Sequence, residues 1–435
     1  MNQTFRDPHR DQPTEQPDLQ DQLIDAEADS LPLPQPPALS RGARILLGAS
    51  LVLIAFNLRP LFSSLSVLLP EVMQATGLTT AGASVLTTLP VLCLGLFAPL
   101  APKLAQRFGA ERTLLGVLML LTLGTALRGL GSVPLLFVAT FAAGAAIAIG
   151  NVLLPGLVKR DFPDRAAMMT GLYTMALCAG AAGAAGLTLS IEHHVAGSWS
   201  AALAAWAVPA LIVLFIWAPQ ALRGKAQARH TGFRVVGLWR DRLAWQVTLF
   251  MGLQSALAYC VFGWMAPILR ERGLDAATAG AVVSASIMMQ VVTCLLVPSF
   301  AIRRRDQRAV CVALAAAAVT ALLGILFAPL STVLVWAVLQ GIGQGGLIAA
   351  AMTLIVLRSP DSHVAAHLSG MAQGVGYVLA AIGPLLVGFI RSWTGSFAAS
   401  GILFLALGLG VAIMGMGAGR ALHVGARTIR LDERP

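Results

Sequence analysis

Charge is scarce in this chain. Only 11% of its 435 residues are Asp, Glu, Lys or Arg, against 57% hydrophobic, whereas a soluble globular domain carries roughly 25% charged residues. That shortage excludes a soluble fold and leaves an integral membrane protein. Carboxylates are missing where a pump would need them, because all twenty acidic residues fall in tails, loops or the ends of apolar blocks. The usual intramembrane proton carrier is therefore absent. The five cysteines (Cys93, Cys178, Cys260, Cys294, Cys311) form no CxxC and no metal-ligand spacing, and read as small apolar packing residues. His363 and His367 lie four apart without an acidic or thiol partner, so no metal site is expected. No nucleophile–base pair or paired carboxylate sits at depth, so neither enzyme chemistry nor a cofactor is expected. The net charge of +10 does not point to nucleic acid, because the basic residues sit in short loops rather than on a dense basic face with aromatics.

What the chain has in abundance is apolar runs. Twelve blocks of spanning length cover residues 45–69, 81–100, 113–130, 133–158, 166–189, 201–218, 243–269, 276–300, 310–328, 332–357, 368–390 and 397–418. They are too long and too rich in Leu, Ala and Gly for barrel strands, so an all-α membrane protein of twelve helices is expected. With both termini inside, 25 of the 30 Lys and Arg fall on the inner side. That bias predicts cytoplasmic termini and an inner-membrane location. The expected organisation is a disordered acidic, Pro-rich tail over 1–43, a bundle over 44–218, a linker over 219–242, a second bundle over 243–420 and a tail over 421–435. The first apolar block begins far from the N-terminus and is too long for a cleavable signal.

The two bundles are copies. Pro102, Ala105, Arg107 and Arg112 reappear as Pro298, Ala301, Arg303 and Arg308, each shifted by 196. Gly77-Leu78 reappears as Gly273-Leu274 at the same shift. An even number of helices leaves both copies in the same orientation, with a solute site expected between them. Gly171, Gly180, Gly183 and Gly186 recur in block 5, as Gly374, Gly383-Pro384 and Gly388 do in block 11. Such spacing permits close approach of helix backbones.

Arg59 stands inside block 1, followed at once by Pro60. A guanidinium at the centre of a spanning helix costs about 2.5–3.5 kcal/mol on insertion scales, so it faces protein rather than lipid. Proline removes an N–H and frees a helix carbonyl. Counting along block 1 puts Arg59 roughly 22 Å in, past the middle of the core. A buried cation beside a broken helix predicts a site for something small and anionic, or acceptor-rich. Arg128, nearer the outer surface, either lines the same cavity or snorkels to the headgroups. Asn57, Ser63, Asn151, Gln254, Tyr259 and Gln373 are the polar candidates to complete the site, with Asn57 and Gln254 foremost. Tyr173, Gln340, Gln344 and Tyr377 read first as helix-to-helix hydrogen bonds. Trp264 reads as packing or an interface anchor.

Phe56-Asn57-Leu58-Arg59-Pro60 with Leu68-Leu69-Pro70 resembles the first-helix signature of the cyanate/2-nitroimidazole transporter (CynX/NimT) group of the major facilitator superfamily. Ala126-Leu127-Arg128 and Leu154 to Arg160 share that resemblance, which covers about residues 44–420. Met251 to Ser255, Tyr259, Gly263-Trp264 and Pro267 look closer to the nitroimidazole branch. The resemblance implies the facilitator fold and alternating access by rocking bundles. It also implies gating or structural roles for Pro60, Gln106, Arg107, Gly109, Arg112, Arg303, Arg308, Gly383 and Pro384. Facilitators usually place an Asp where Gln106 stands, which puts a charge-relay gate at that position in doubt. The expected cargo is a small polar or anionic solute, either a cyanate-like anion or a nitroimidazole-like heterocycle, moved by a monomer in the lipid bilayer. The rivals are a general small-drug exporter and a transport-dead receptor using the same pocket.

Overall fold

The computed structural model describes residues 41–162, 165–195, 197–223, 233–301, 306–360 and 362–430. The expected acidic tail thus lies almost wholly outside the described residues, as do Arg303 and the middle of the linker. Among the described residues, twelve helices are long and apolar enough to cross a membrane. In chain order, spans 1 to 6 are Arg41–Val67, Thr80–Phe97, Ala110–Leu130, Val133–Val158, Gly171–His194 and Trp199–Leu222. Spans 7 to 12 are Arg242–Glu271, Ala276–Val297, Arg308–Phe327, Leu330–Leu357, His367–Thr394 and Ser400–Ala418. Each overlies one of the twelve apolar blocks. Twelve crossings return the chain to the face on which it began. That face is called proximal below, and the opposite one distal.

Short polar residues set where several spans begin. The Thr79 hydroxyl accepts from the Gly82 N–H at 3.1 Å, and Asp241 accepts from the Ala244 N–H at 2.8 Å. Each satisfies one of the four donors that a helix start leaves open. Proline sets the interruption in span 1, which runs as Arg41–Asn57 and then Pro60–Val67. With no N–H at Pro60, the Phe56 carbonyl loses its helical partner. Span 5 closes over that carbonyl through Gly180, where a Cβ would collide with the Phe56 oxygen. Spans 6 and 11 are also interrupted, at Trp206 and at Ala381.

The spans gather into two six-helix bundles that meet along three seams: span 1 on span 7, span 2 on span 11, and span 5 on span 8. Span 7 is the most enclosed, with 89% of its apolar window buried. The seams are close because glycine lines them. A Cβ on Gly280 would stand 2.5 Å from the Ala185 carbonyl oxygen, and one on Gly95 would stand 2.8 Å from that of Gly374. The described residues from 47 onward form one compact unit. On the proximal face the sixth helix continues to Arg223. Strand β1 (Phe233–Val236) pairs antiparallel with β2 (Arg427–Arg430), setting Val236 opposite Arg427. This ribbon ties linker to tail, a pairing the sequence reading did not anticipate because four-residue strands carry no usable period.

Candidate functional site

Arg59 occupies the gap in span 1, as the residue that precedes the first turn of the Pro60–Val67 segment (φ −116°, ψ −26°). It is half-buried. Its Nη1 donates to the Tyr259 hydroxyl oxygen of span 7 at 3.3 Å. That contact joins the two bundles and lies at the long end of hydrogen-bond geometry, so a better acceptor can displace it. The guanidinium carbon also lies 5.9 Å from the centre of the Phe62 ring, within cation–π range.

Aromatic rings complete the surroundings. Tyr259 packs on Phe62 (5.6 Å between ring centres), on Phe262 (6.0 Å) and edge-on to Tyr377 of span 11 (6.1 Å). The whole chain contains three tyrosines, and all three converge here. Tyr259 and Tyr377 lie within electrostatic reach of Arg59, and Tyr173 of span 5 within reach of Tyr377. Cys178 is a further neighbour of Arg59. Beside the rings, a void of about 10 Å³ is lined by Leu61, Phe62, Thr87, Tyr259 and Phe262 among others. That is room for about one water molecule. Chemically, the site combines guanidinium N–H groups with phenolic O–H groups and flat π faces. That set suits a small, flat, acceptor-rich group.

The other candidates are distributed differently. Asn57 turns onto its own helix, donating to the Leu53 carbonyl at 2.8 Å. Gln254 is fully buried, donates to Ser255 Oγ at 2.8 Å and accepts from Gln344 Nε2 at 3.0 Å. It serves the contact between spans 7 and 10 rather than Arg59. Ser63 is 1% exposed and its hydroxyl has no partner among the described residues. Asn151 is half-buried, and no hydrogen bond connects it with Arg59 among the described residues. Gln373 donates to Ser369 Oγ at 2.9 Å on its own helix. Arg128 does not snorkel. It is 1% exposed, and its Nη1 lies 3.5 Å from the Leu61 carbonyl oxygen. Trp264 donates to the Pro384 carbonyl at 2.8 Å and is packing. Tyr377 and Phe62, which the sequence did not put forward for the site, pack on Tyr259. Rarity of tyrosine was the available signal for the first, and nothing marked the second.

The positions with implied gating roles sit at junctions. Pro60 opens the second half of span 1. Gly109 links the short helix Leu100–Phe108 to span 3 with φ +86°, a conformation that suits glycine. Arg107 stacks on Phe108 at 5.2 Å, and Arg112 is exposed. The side chain of Gln106 lies outside the described residues. Arg308 lies 3.4 Å from Asp306. Gly383 lets span 11 approach the Ala256 carbonyl of span 7, which a Cβ would meet at 2.9 Å.

The distal face is sealed across the bundle seam. Arg270 Nη1 of span 7 meets both Glu71 oxygens, at 2.7 and 2.8 Å, and also the Val67 carbonyl at 3.3 Å. One turn deeper, Ser66 donates to the Gly263 carbonyl at 3.1 Å. On the proximal face, Arg160 binds Asp161 and Glu111 within the first bundle. Arg358, its counterpart in the repeat, is buried against the Ala418 and Gly419 carbonyls and Gln307. Burial lowers the Arg358 pKa, an effect that outweighs the charge of Asp306.

Known proteins agree with this architecture. The model of the Major Facilitator Superfamily matches residues 45–333. The uncharacterized transporter YycB of Bacillus subtilis (strain 168) is 40% identical over 376 residues, 86% of this chain and 93% of that protein. The 2-nitroimidazole transporter of Escherichia coli (strain K12) is 40% identical over 387 residues, 88% of this chain and 98% of its own length. The cyanate transport protein CynX of the same organism is 29% identical over 348 residues, covering 80% and 90%. Among solved structures, the nucleoside transporter NupG superposes with a TM-score of 0.69 at 13% identity, covering 86% of this chain and 99% of that one. That likeness concerns the fold. Family match, whole-length relatives and twelve spans together place the chain in the major facilitator superfamily, as a multi-pass secondary transporter.

Proposed function

We propose that the protein carries a small, flat, acceptor-rich solute across the cytoplasmic membrane, with both termini inside, and that Arg59 anchors the cargo. The observation that carries this reading is the guanidinium in the gap of span 1, held against Tyr259 and flanked by Phe62 and Tyr377. An arginine offers a planar fork that can take two oxygens of a nitro or carboxylate group at once. The phenol that now accepts from Arg59 retains its own O–H for the cargo, and the rings cover a flat heterocycle. A nitroimidazole-like ring uses all three features, whereas linear cyanate uses the charge alone. The higher identity to the 2-nitroimidazole transporter than to the cyanate carrier favours the same choice.

The cargo is moved by the two bundles rocking about the site. The Glu71–Arg270 pair and the Ser66–Gly263 bond would separate on the distal side, here taken as outer, while the proximal seams close. Cargo shifts that equilibrium only by its difference in affinity for the two states. Pro60, Gly383 and Pro384 lie where spans 1 and 11 are interrupted and would absorb the bending.

Binding tests the reading directly. Equilibrium binding of 2-nitroimidazole, benzoate and cyanate would be measured on purified protein and on Arg59→Gln. The reading expects aromatic ligands to bind best and all binding to drop at least tenfold in the variant. Undiminished binding in Arg59→Gln would remove Arg59 from the site.

A further inference from the structure

We propose that Arg128 forms a second anion-binding site, separate from Arg59, which takes a small planar oxyanion along the Nε–Nη2 edge of its guanidinium. Arg128 opens the 3₁₀ turn Arg128–Leu130 that ends span 3. It is among the most completely buried large side chains of the protein. One corner of the guanidinium is engaged, through Nη1 and the Leu61 carbonyl at 3.5 Å. Nε and Nη2 are buried and have no partner among the described residues. These two N–H groups point the same way in one plane, the fork by which arginine takes both oxygens of a carboxylate or nitro group.

The same chain shows what that edge does when it is filled. Arg160 uses Nε and Nη2 to hold the two Asp161 oxygens at 2.7 and 3.0 Å. Arg358, also buried, directs Nε to the Ala418 carbonyl at 2.9 Å and Nη2 to the Gly419 carbonyl and Gln307. At Arg128 that edge meets no protein acceptor among the described residues. Among the distal acids, Glu71 holds Arg270, Glu271 holds Arg391 and Asp275 accepts from the Thr278 N–H. A buried charge without hydrogen-bonded compensation is strongly unfavourable, and the compensation that fits two coplanar donors is a planar oxyanion.

The placement gives the site a use. The carbonyl that Arg128 touches belongs to Leu61, two residues beyond Arg59 in the broken span, and Leu61 lines the void beside Tyr259. Arg128 therefore stands behind the wall of the cargo site, on its distal side. In this proposal the site fills when the distal seam parts, beside the broken segment that carries Arg59. The two guanidiniums make successive stations. Arg128 selects for two coplanar oxygens, so nitrate, carboxylates and nitro compounds suit it and linear cyanate does not.

The test is anion binding to purified, delipidated protein by titration calorimetry, with nitrate and benzoate as probes, so that lipid phosphates do not contribute. Glu71→Gln protein, with its distal latch broken, would be titrated beside the natural chain to present the opened state. The proposal expects about two anions per opened protein and about one after Arg128→Gln. Arg128→Lys, which keeps the charge without the fork, should weaken the second site at least tenfold. A single anion per opened protein, with its count unchanged by Arg128→Gln, would overturn the proposal. So would a variant that melts earlier yet binds anions like its parent, the result expected if Arg128 only braces span 1. The role of Arg59 is tested independently, because Arg59→Gln removes the other anion if that reading holds and removes none if it fails.

Discussion

At Arg59 the important quantity is how weakly the present partner holds. A 3.3 Å contact to the Tyr259 hydroxyl leaves the guanidinium ready for a stronger acceptor, while the phenol keeps it aimed across the seam. Tyr259→Phe keeps the ring and deletes that hydroxyl. Hydrogen bonds to charged groups contribute about 1.5–3 kcal/mol, so ligand affinity should fall about tenfold or more, less than in Arg59→Gln, in the same binding assay. Gly180 shows how little room surrounds the break. A Cβ there collides with the Phe56 carbonyl, and Gly180→Val should cost roughly 1–3 kcal/mol through overpacking, read as an earlier thermal melt of the purified protein. Arg59 stood out in the sequence because a charge at membrane depth is costly. The partners of Asn57 and Gln254 were not legible, because a polar side chain in a spanning helix can bond its own backbone, as Asn57 does, or a neighbouring helix, as Gln254 does. Which face a residue occupies depends on helix rotation, and spacing alone does not give that for spans apolar on every side.

Among the elements, the spans were legible and their interruptions less so. Apolar length fixed all twelve, since a membrane core demands about twenty apolar residues per helix. Pro60 marked the break in span 1, and the breaks at Trp206 and Ala381 likewise precede Pro209 and Pro384, whose missing N–H groups free the Ala205 and Ala380 carbonyls. The β ribbon joins segments almost two hundred residues apart, beyond any local pattern. Asp241 works at that junction, accepting from the Ala244 N–H and from the Gly425 N–H, both at 2.8 Å. Asp241→Ala removes a helix cap and a tail anchor together, and should lower stability by about 1–2 kcal/mol, measurable as a lower melting temperature. On the distal face, Glu71→Gln deletes the charge that pairs with Arg270. A partly exposed ion pair contributes about 1 kcal/mol, roughly a fivefold change in an equilibrium. Labelling of Leu65→Cys by a membrane-impermeant maleimide should accordingly quicken several-fold when Glu71→Gln is added, and an unchanged rate would exclude this pair as a latch.

The whole molecule joins a cationic, aromatic site to two bundles that meet through small residues. Alternating access requires the bundles to move, and the glycine-lined seams are the surfaces that must part and re-form. The duplicated motif near Arg107 and Arg308 made this arrangement readable from sequence, because two copies in the same orientation place their shared interface at the centre. The central claim is that Arg59 anchors a cargo that crosses. Uptake of labelled 2-nitroimidazole and benzoate into proteoliposomes measures it most directly, with the natural protein and Arg59→Gln reconstituted in parallel. The account predicts saturable flux of at least one of these compounds by the natural protein, and flux at the level of empty liposomes in the variant. Equal saturable flux in both would contradict it.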